Sequence, residues 1–235
     1  MRTLNSSVIN ENEKALHMKS INVNSYEVKT SKNNLKVPVV NDVHLHSMYN
    51  PAKEAQAIVS KHDSVLQSKN TVLVLGLGFA YHVYEICRKL ESYHGNDYKV
   101  VVIEPNEQVY RDCVSNHLFP NKNIEVYSGE NLQAIYSEIN LVKFLIEKPA
   151  VVSHPASFGL YQAYFKSFLE FTANKELSSI TKFVSNRELK SYLYSDNESA
   201  NLDDFIHNNV LAKESFNNKL DHMLLAFTHL SNGDF

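Results

Sequence analysis

A chain of 235 residues, 43% hydrophobic and 21% charged, has enough apolar material for a folded domain with a sizeable core and lacks the composition of a disordered protein. A net charge of −3 offers no basic surface to nucleic acid or an anionic membrane, and two cysteines exclude a disulfide framework and a four-cysteine zinc site. No apolar run reaches the ~18 residues of a membrane span or follows Met1-Arg2 as a signal peptide would, so a cytoplasmic protein with no membrane span is expected.

Residues 1–55 read as an N-terminal extension with short strands. Its polar opening allows a helix near Glu11–Ser20 and a strand near Ser25–Lys29. Val39, Val40, Val43 and Leu45 carry strand character, interrupted by Asn41-Asp42. Asn50 is then a good N-cap and Pro51 a good first helical residue, which predicts a helix to about His62.

Residues 56–175 read as a Rossmann-like α/β domain. Thr71–Leu75, TVLVL, is a continuous apolar run of the kind buried on both faces of a parallel sheet. Gly76-Leu77-Gly78 is a turn, and Ala80–Ser92 a helix with Val83, Ile86, Cys87 and Leu90 on one stripe. Lys99–Glu104 is the second strand and Asn106–Asn116 the second helix. Ile124–Tyr127 is the third strand, Asn131–Glu147 a helix with a break, and Ala150–Ser153 the fourth strand. Four such units predict half of a doubly wound sheet in the order 3-2-1-4, within a three-layer sandwich. A further helix is expected over Gly159–Asn174. Residues 176–235 read as a helical tail. Its last helix, Asn201–Leu230, presents Ile206, Val210, Leu220, Leu224 and Phe227 at helical spacing. Packing within the protein is the simpler reading of that face, and homo-oligomer formation through these helices the alternative.

Glycine is scarce, six in all, yet Gly76 and Gly78 fall two residues apart after the first strand. Such a pair marks a backbone need. At this point of a doubly wound sheet, glycines let the backbone approach a ligand, and the next helix N-terminus favours negative charge. Glu104 ends the second strand, 28 residues after Gly76, where an acid can accept hydrogen bonds from two ribose hydroxyls. Gly76, Gly78 and Glu104 therefore suggest a nucleoside site, with Tyr81, His82, Ser128 and Gly129 in reach of it. The departures matter. A dinucleotide fingerprint needs glycine where Tyr81 stands, and a methyltransferase pattern needs an acid at Val74 and glycine at Ala80. S-adenosylmethionine remains an alternative cofactor, and a tight turn with no ligand a second alternative. His154, after the fourth strand, sits where some methyltransferases orient substrate. Asp42, His44 and His46 alternate and would share one strand face. Partly buried, hydrogen-bonded histidines are the preferred reading there, and no metal is expected. Cys87 and Cys113 lie on packed helix faces and should be inert.

Three motifs in order carry a resemblance. H-S-M-Y-N-P-A-K-E-A begins at His46, V-L-V-L-G-L-G-F-A-Y-H covers 72–82, and V-V-I-E-P-N covers 101–106. Together they resemble the N-terminal Rossmann-like part of the motility-associated-factor (Maf) flagellin glycosyltransferases, over roughly residues 20–175. Ala80 replaces a family glycine, and Asn50 stands where aspartate is commoner. The resemblance implies a bacterial protein of flagellin or surface glycosylation, in a family that transfers nonulosonic acids from a CMP-activated donor. It also implies that His46, Ser47, Tyr49, Asn50, Pro51, Glu54 and His154 belong to family motifs of unassigned role. The family's transferase chemistry is assigned to a domain that follows the matched region. This chain is therefore expected to be the accessory module, with that transferase domain or flagellin as partner, a CMP-activated sugar as the ligand it would take, and no sugar transfer of its own.

Overall fold

The computed structural model describes residues 21–116, 123–172, 175–196, 198–216 and 218–232. The helix expected near Glu11–Ser20 lies outside them. The chain forms two compact units, one ending at Glu170 and the other beginning at Phe171.

The first unit opens with an antiparallel sheet of β1 (Tyr26–Thr30), β2 (Lys36–Val40) and β3 (Val43–His44), in the order β1-β2-β3. Asn41 and Asp42 join β2 to β3 with positive φ of 49° and 63°. Both central residues of a type I′ hairpin turn need that sign, and Asn-Asp tolerates it. The interruption seen in the sequence is thus a hairpin loop. The strand ends with Val43-His44; the chain then turns, so Asp42, His44 and His46 share no strand face. Asp42 and His44 are exposed, and His46 points inward with 2% of its surface exposed.

Helices α1 (Pro51–Ser60) and α2 (Asp63–Ser68) lead into the main sheet. That sheet holds β4 (Thr71–Leu75), β5 (Lys99–Glu104), β6 (Ile124–Ser128) and β7 (Ala150–Ser153), all parallel, in the order β6-β5-β4-β7. This is the 3-2-1-4 order, with the first strand of the series central. Helices α3 (Tyr81–His94), α4 (Glu107–Ser115), α5 (Leu132–Tyr136) and α6 (Ile139–Ile146) form the connections. The fold is α/β and Rossmann-like, with an added antiparallel sheet. Val72, Val74, Val100, Val102 and Val152 pack against Val59, Leu66, Val83, Ile86 and Leu90 of the helices. Leu73, Leu75, Val101 and Ile103 of the alternate positions are also buried. Burial on both faces explains why these strands are unbroken apolar runs. Cys87 and Cys113 are buried free thiols, and burial pushes both up to about 12, so they pack rather than react.

After β7, two short helices, α7 (Pro155–Leu160) and α8 (Gln162–Leu169), replace the single helix expected over Gly159–Asn174. The second unit holds α9 (Leu177–Phe183), α10 (Arg187–Leu193), α11 (Leu202–Ile206), a π-helical turn (His207–Leu211) and α12 (Lys219–Asn232). Leu193, Phe205, Ile206, Val210 and Leu224 form its own core. The one long helix expected from Asn201 is interrupted between that π turn and Lys219. Asparagine starts helices throughout: Asn50, Asn106, Asn131, Asn186 and Asn201 each accept a backbone N–H from the first turn. Asn50→Ala should cost about 1 kcal/mol, read as a lower urea midpoint with unchanged slope. Among the described residues, no helix is long and apolar enough to cross a membrane.

Candidate functional site

The C-terminal ends of β4, β5 and β7 meet at the turn 76–80. Gly76 and Gly78 adopt φ of +96° and +50°, as a tight strand-to-helix turn demands, and Ala80 follows at +60°. What the glycines make room for is protein. A Cβ on Gly76 would lie 2.4 Å from Ser157 Cβ, and one on Gly78 would lie 2.5 Å from His46 Nε2. Leu77 and Phe79 between them are fully buried.

The amide groups of the turn itself are already taken. Gly76 N–H donates to Ile103 O at 2.9 Å, and Ala80 N–H to Leu77 O at 2.9 Å. Leu77 N–H donates to Glu104 Oε2 at 2.8 Å, and Phe79 N–H to His46 Nε2 at 2.9 Å. Glu104, expected on a ribose, is turned inward and fully buried. Its other oxygen accepts Asn106 N–H at 2.9 Å. Burial pushes its pKa up to about 7, against the pull of the Leu77, Asn106 and Gly78 amides. Asn106 in turn caps α4 and donates to the Tyr161 hydroxyl at 3.0 Å. Glu104-Pro105-Asn106 is thus a brace for the glycine turn.

The segment from His46 to Glu54 is the matching half of that brace. Ser47 Oγ accepts the N–H groups of Tyr49 and Asn50 at 3.2 and 3.3 Å. Glu54 Oε2 accepts Ser47 N–H at 2.8 Å and lies 3.6 Å from His46 Nδ1. Pro51 begins α1, and Asn50 Oδ1 caps it through Lys53 N–H at 3.0 Å. These contacts aim the His46 ring at the turn. Tyr81 ties the same region together: its hydroxyl donates to Lys36 O at 2.8 Å, and its ring meets His46 edge-on at 4.9 Å. Tyr49 stands outside, 68% exposed, with Lys32 Nζ 4.0 Å from its ring centre.

His82 and His154 complete the interior. The His82 and His154 rings stack at 4.3 Å, and His46 lies 4.7 Å from His154. All three are no more than 2% exposed. Burial, followed by mutual repulsion, lowers His82 to about 3 and His154 well below its ordinary range; burial also lowers His46. They are neutral imidazoles. His46 Nδ1 and His82 Nδ1 have no hydrogen-bond partner. Each such orphan costs roughly 1–3 kcal/mol. Sequence reading named all three histidines but placed them at separate tasks. Their common position, each just beyond a strand or a glycine turn, was the available signal.

Ser128 lies beside Glu104 in the sheet, and Gly129 N–H donates to Glu104 O at 2.9 Å. Ser128 and Gly129 line a solvent-facing groove of about 480 Å³ with Glu107, Tyr127, Glu130, Asn131 and Glu138. Gly76, Gly78 and Glu104 do not line it. The expected single cleft is therefore two places: a sealed interior at the glycine turn and an open acidic groove at the end of β6.

No family model and no curated protein matches this chain. Solved structures do, among them MNMC2 from Aquifex aeolicus, at 14% identity and a TM-score of 0.34. That match covers 57% of this chain and 54% of the other. The chain thus spans about half the length of that structure.

Proposed function

We propose that this chain is a Maf-like accessory module in flagellin or surface glycosylation whose nucleotide cleft is closed, and that it works as a structural and docking element. The observation that carries this reading is the glycine turn, with its amides spent inside the chain and its Cβ space filled by His46 and Ser157. The three motifs behind the resemblance also meet at this one junction, which gives each of them a structural task. A CMP-activated sugar or S-adenosylmethionine would need the same junction emptied. The open groove is a poor substitute, because Glu107, Glu130 and Glu138 repel a phosphate. Partners in this reading are a transferase domain or flagellin, met in the cytoplasm. A second copy, through the C-terminal helices, is a further candidate partner.

The test is a thermal-shift series with CMP, a CMP-activated nonulosonic acid, S-adenosylhomocysteine and NAD. No ligand should raise the melting temperature. A saturating rise with S-adenosylhomocysteine would replace this reading with a methyltransferase, and one with CMP would restore the nucleotide site. Incubation with the CMP-activated sugar and unmodified flagellin should leave the flagellin mass unchanged.

A further inference from the structure

Three buried imidazoles from three distant segments converge in the sealed interior. His46 follows β3, His82 is in the first turn of α3, and His154 follows β7. One nitrogen from each lies within 4.8 Å of the others. Here His82 Nδ1 is buried without a partner. We propose that His46, His82 and His154 form a binding site for one zinc-class divalent ion.

The second nitrogens support the assignment. Metal-bound histidines almost always use their other ring nitrogen on a carbonyl, hydroxyl or carboxylate. His82 Nε2 lies 2.9 Å from Gly76 O, so its proton sits there and Nδ1 keeps a free lone pair. His154 Nδ1 lies 2.8 Å from Ser157 Oγ, which leaves Nε2 as its ligand atom. His46 Nδ1 faces Glu54 Oε2 at 3.6 Å, which leaves Nε2. Each ring is thus backed on one side. The donor set also selects the ion. Three neutral imidazoles suit zinc, cobalt, nickel or copper, and magnesium and calcium demand oxygen ligands.

Coordination requires the site to contract. Zinc–nitrogen bonds of about 2.0–2.1 Å bring ligand nitrogens to roughly 3.3 Å of each other. The His82–His154 stack must open, and His46 Nε2 must exchange the Phe79 N–H for the metal. The ion would then clasp the N-terminal segment to the glycine turn and to the end of β7. This site is independent of any role in glycosylation.

The test uses untagged full-length chain, stripped with a chelator and titrated with Zn(II), Co(II) and Mg(II). Zinc and cobalt should bind one ion per chain and raise the melting temperature, and magnesium should do neither. Cobalt should give visible d–d absorption of a nitrogen-rich site. His82→Asn and His154→Asn should each weaken zinc binding by about tenfold or more. His44→Asn, at an exposed histidine, should leave it unchanged. X-ray absorption of the zinc-loaded wild type needs no variant to fold, and should show three imidazoles on the metal. Fewer than three imidazoles, or zinc binding unaffected in both variants, would overturn the site.

Discussion

The Gly78→Ala variant is expected to lose about 2–5 kcal/mol of folding stability. Two terms combine. A left-handed φ of +50° costs an L-residue about 1–2 kcal/mol. The new methyl would also lie 2.5 Å from His46 Nε2, 3.1 Å from Cε1 and 3.2 Å from Cδ2. The ring cannot simply recede. Tyr81 and His154 flank it, and its Nε2 is the acceptor for Phe79 N–H. Pushing it away orphans that buried donor, at about 1–3 kcal/mol. Gly76→Ala should be at least as harmful, because the nearest atom is Ser157 Cβ at 2.4 Å, which no rotamer change can move. Gly159→Ala is the control. Gly159 lies within α7, and a Cβ there meets nothing within 4 Å, so the change should be neutral or stabilise by about 0.5–1 kcal/mol. Urea unfolding of the three variants decides the matter. If Gly78→Ala keeps full stability, the turn has space in it, and the closed-cleft reading falls.

The sheet was legible because its two central strands, β4 and β5, are buried on both faces. Thr71–Leu75, Lys99–Glu104 and Ala150–Ser153 are apolar runs whose ends coincide with the observed strands. Asn50 and Asn106 announced their helices for the same local reason, since a cap acts within one turn. The site was harder because its logic is long-range. A glycine pair and an acid after two strands look alike whether they cradle a ribose or a histidine. Nothing near Gly78 says that His46, more than thirty residues upstream, fills the space. The alternation of Asp42, His44 and His46 misled because strand periodicity stops at the hairpin end. The tail misled differently: Ile206, Val210, Leu220 and Leu224 keep helical spacing across a break that their pattern does not register.

The chelator-stripped protein should lose stability steeply as the pH falls below about 6.5. The three buried histidines are the cause. Burial lowers each below 6.5, His82 to about 3, so acid protonates them in the unfolded chain before the folded one. For a group lowered in the fold, stability is present above the unfolded pKa and drains away below it. Glu104 opposes this. Its folded value of about 7 exceeds an unfolded value near 4.5, so it adds stability as the pH falls between those limits. Towards the middle of the interval between pH 6.5 and 4.5 the unfolded chain therefore holds the protons of His82 and His154 that the folded chain lacks, and the folded chain holds one glutamate proton that the unfolded chain lacks; His46, lowered as well, adds to the first side. Two histidine protons less one glutamate proton set a slope of about 1.4 kcal/mol per pH unit or more. One and a half units would then remove about 2 kcal/mol or more, a sizeable part of a domain's usual 5–15 kcal/mol. Of the neighbours, Glu54 is lowered below its ordinary range and acts only at still lower pH, and Tyr81 is neutral throughout. Urea midpoints at pH 7.5, 6.5, 5.5 and 5.0 provide the measurement. Replacing His154 by phenylalanine should remove one of these protons and cut the slope by about 1.4 kcal/mol per unit. Stability that stays flat from pH 7.5 to 5.0 would mean that the imidazoles reach solvent, and the interior at the glycine turn would be an open cleft after all.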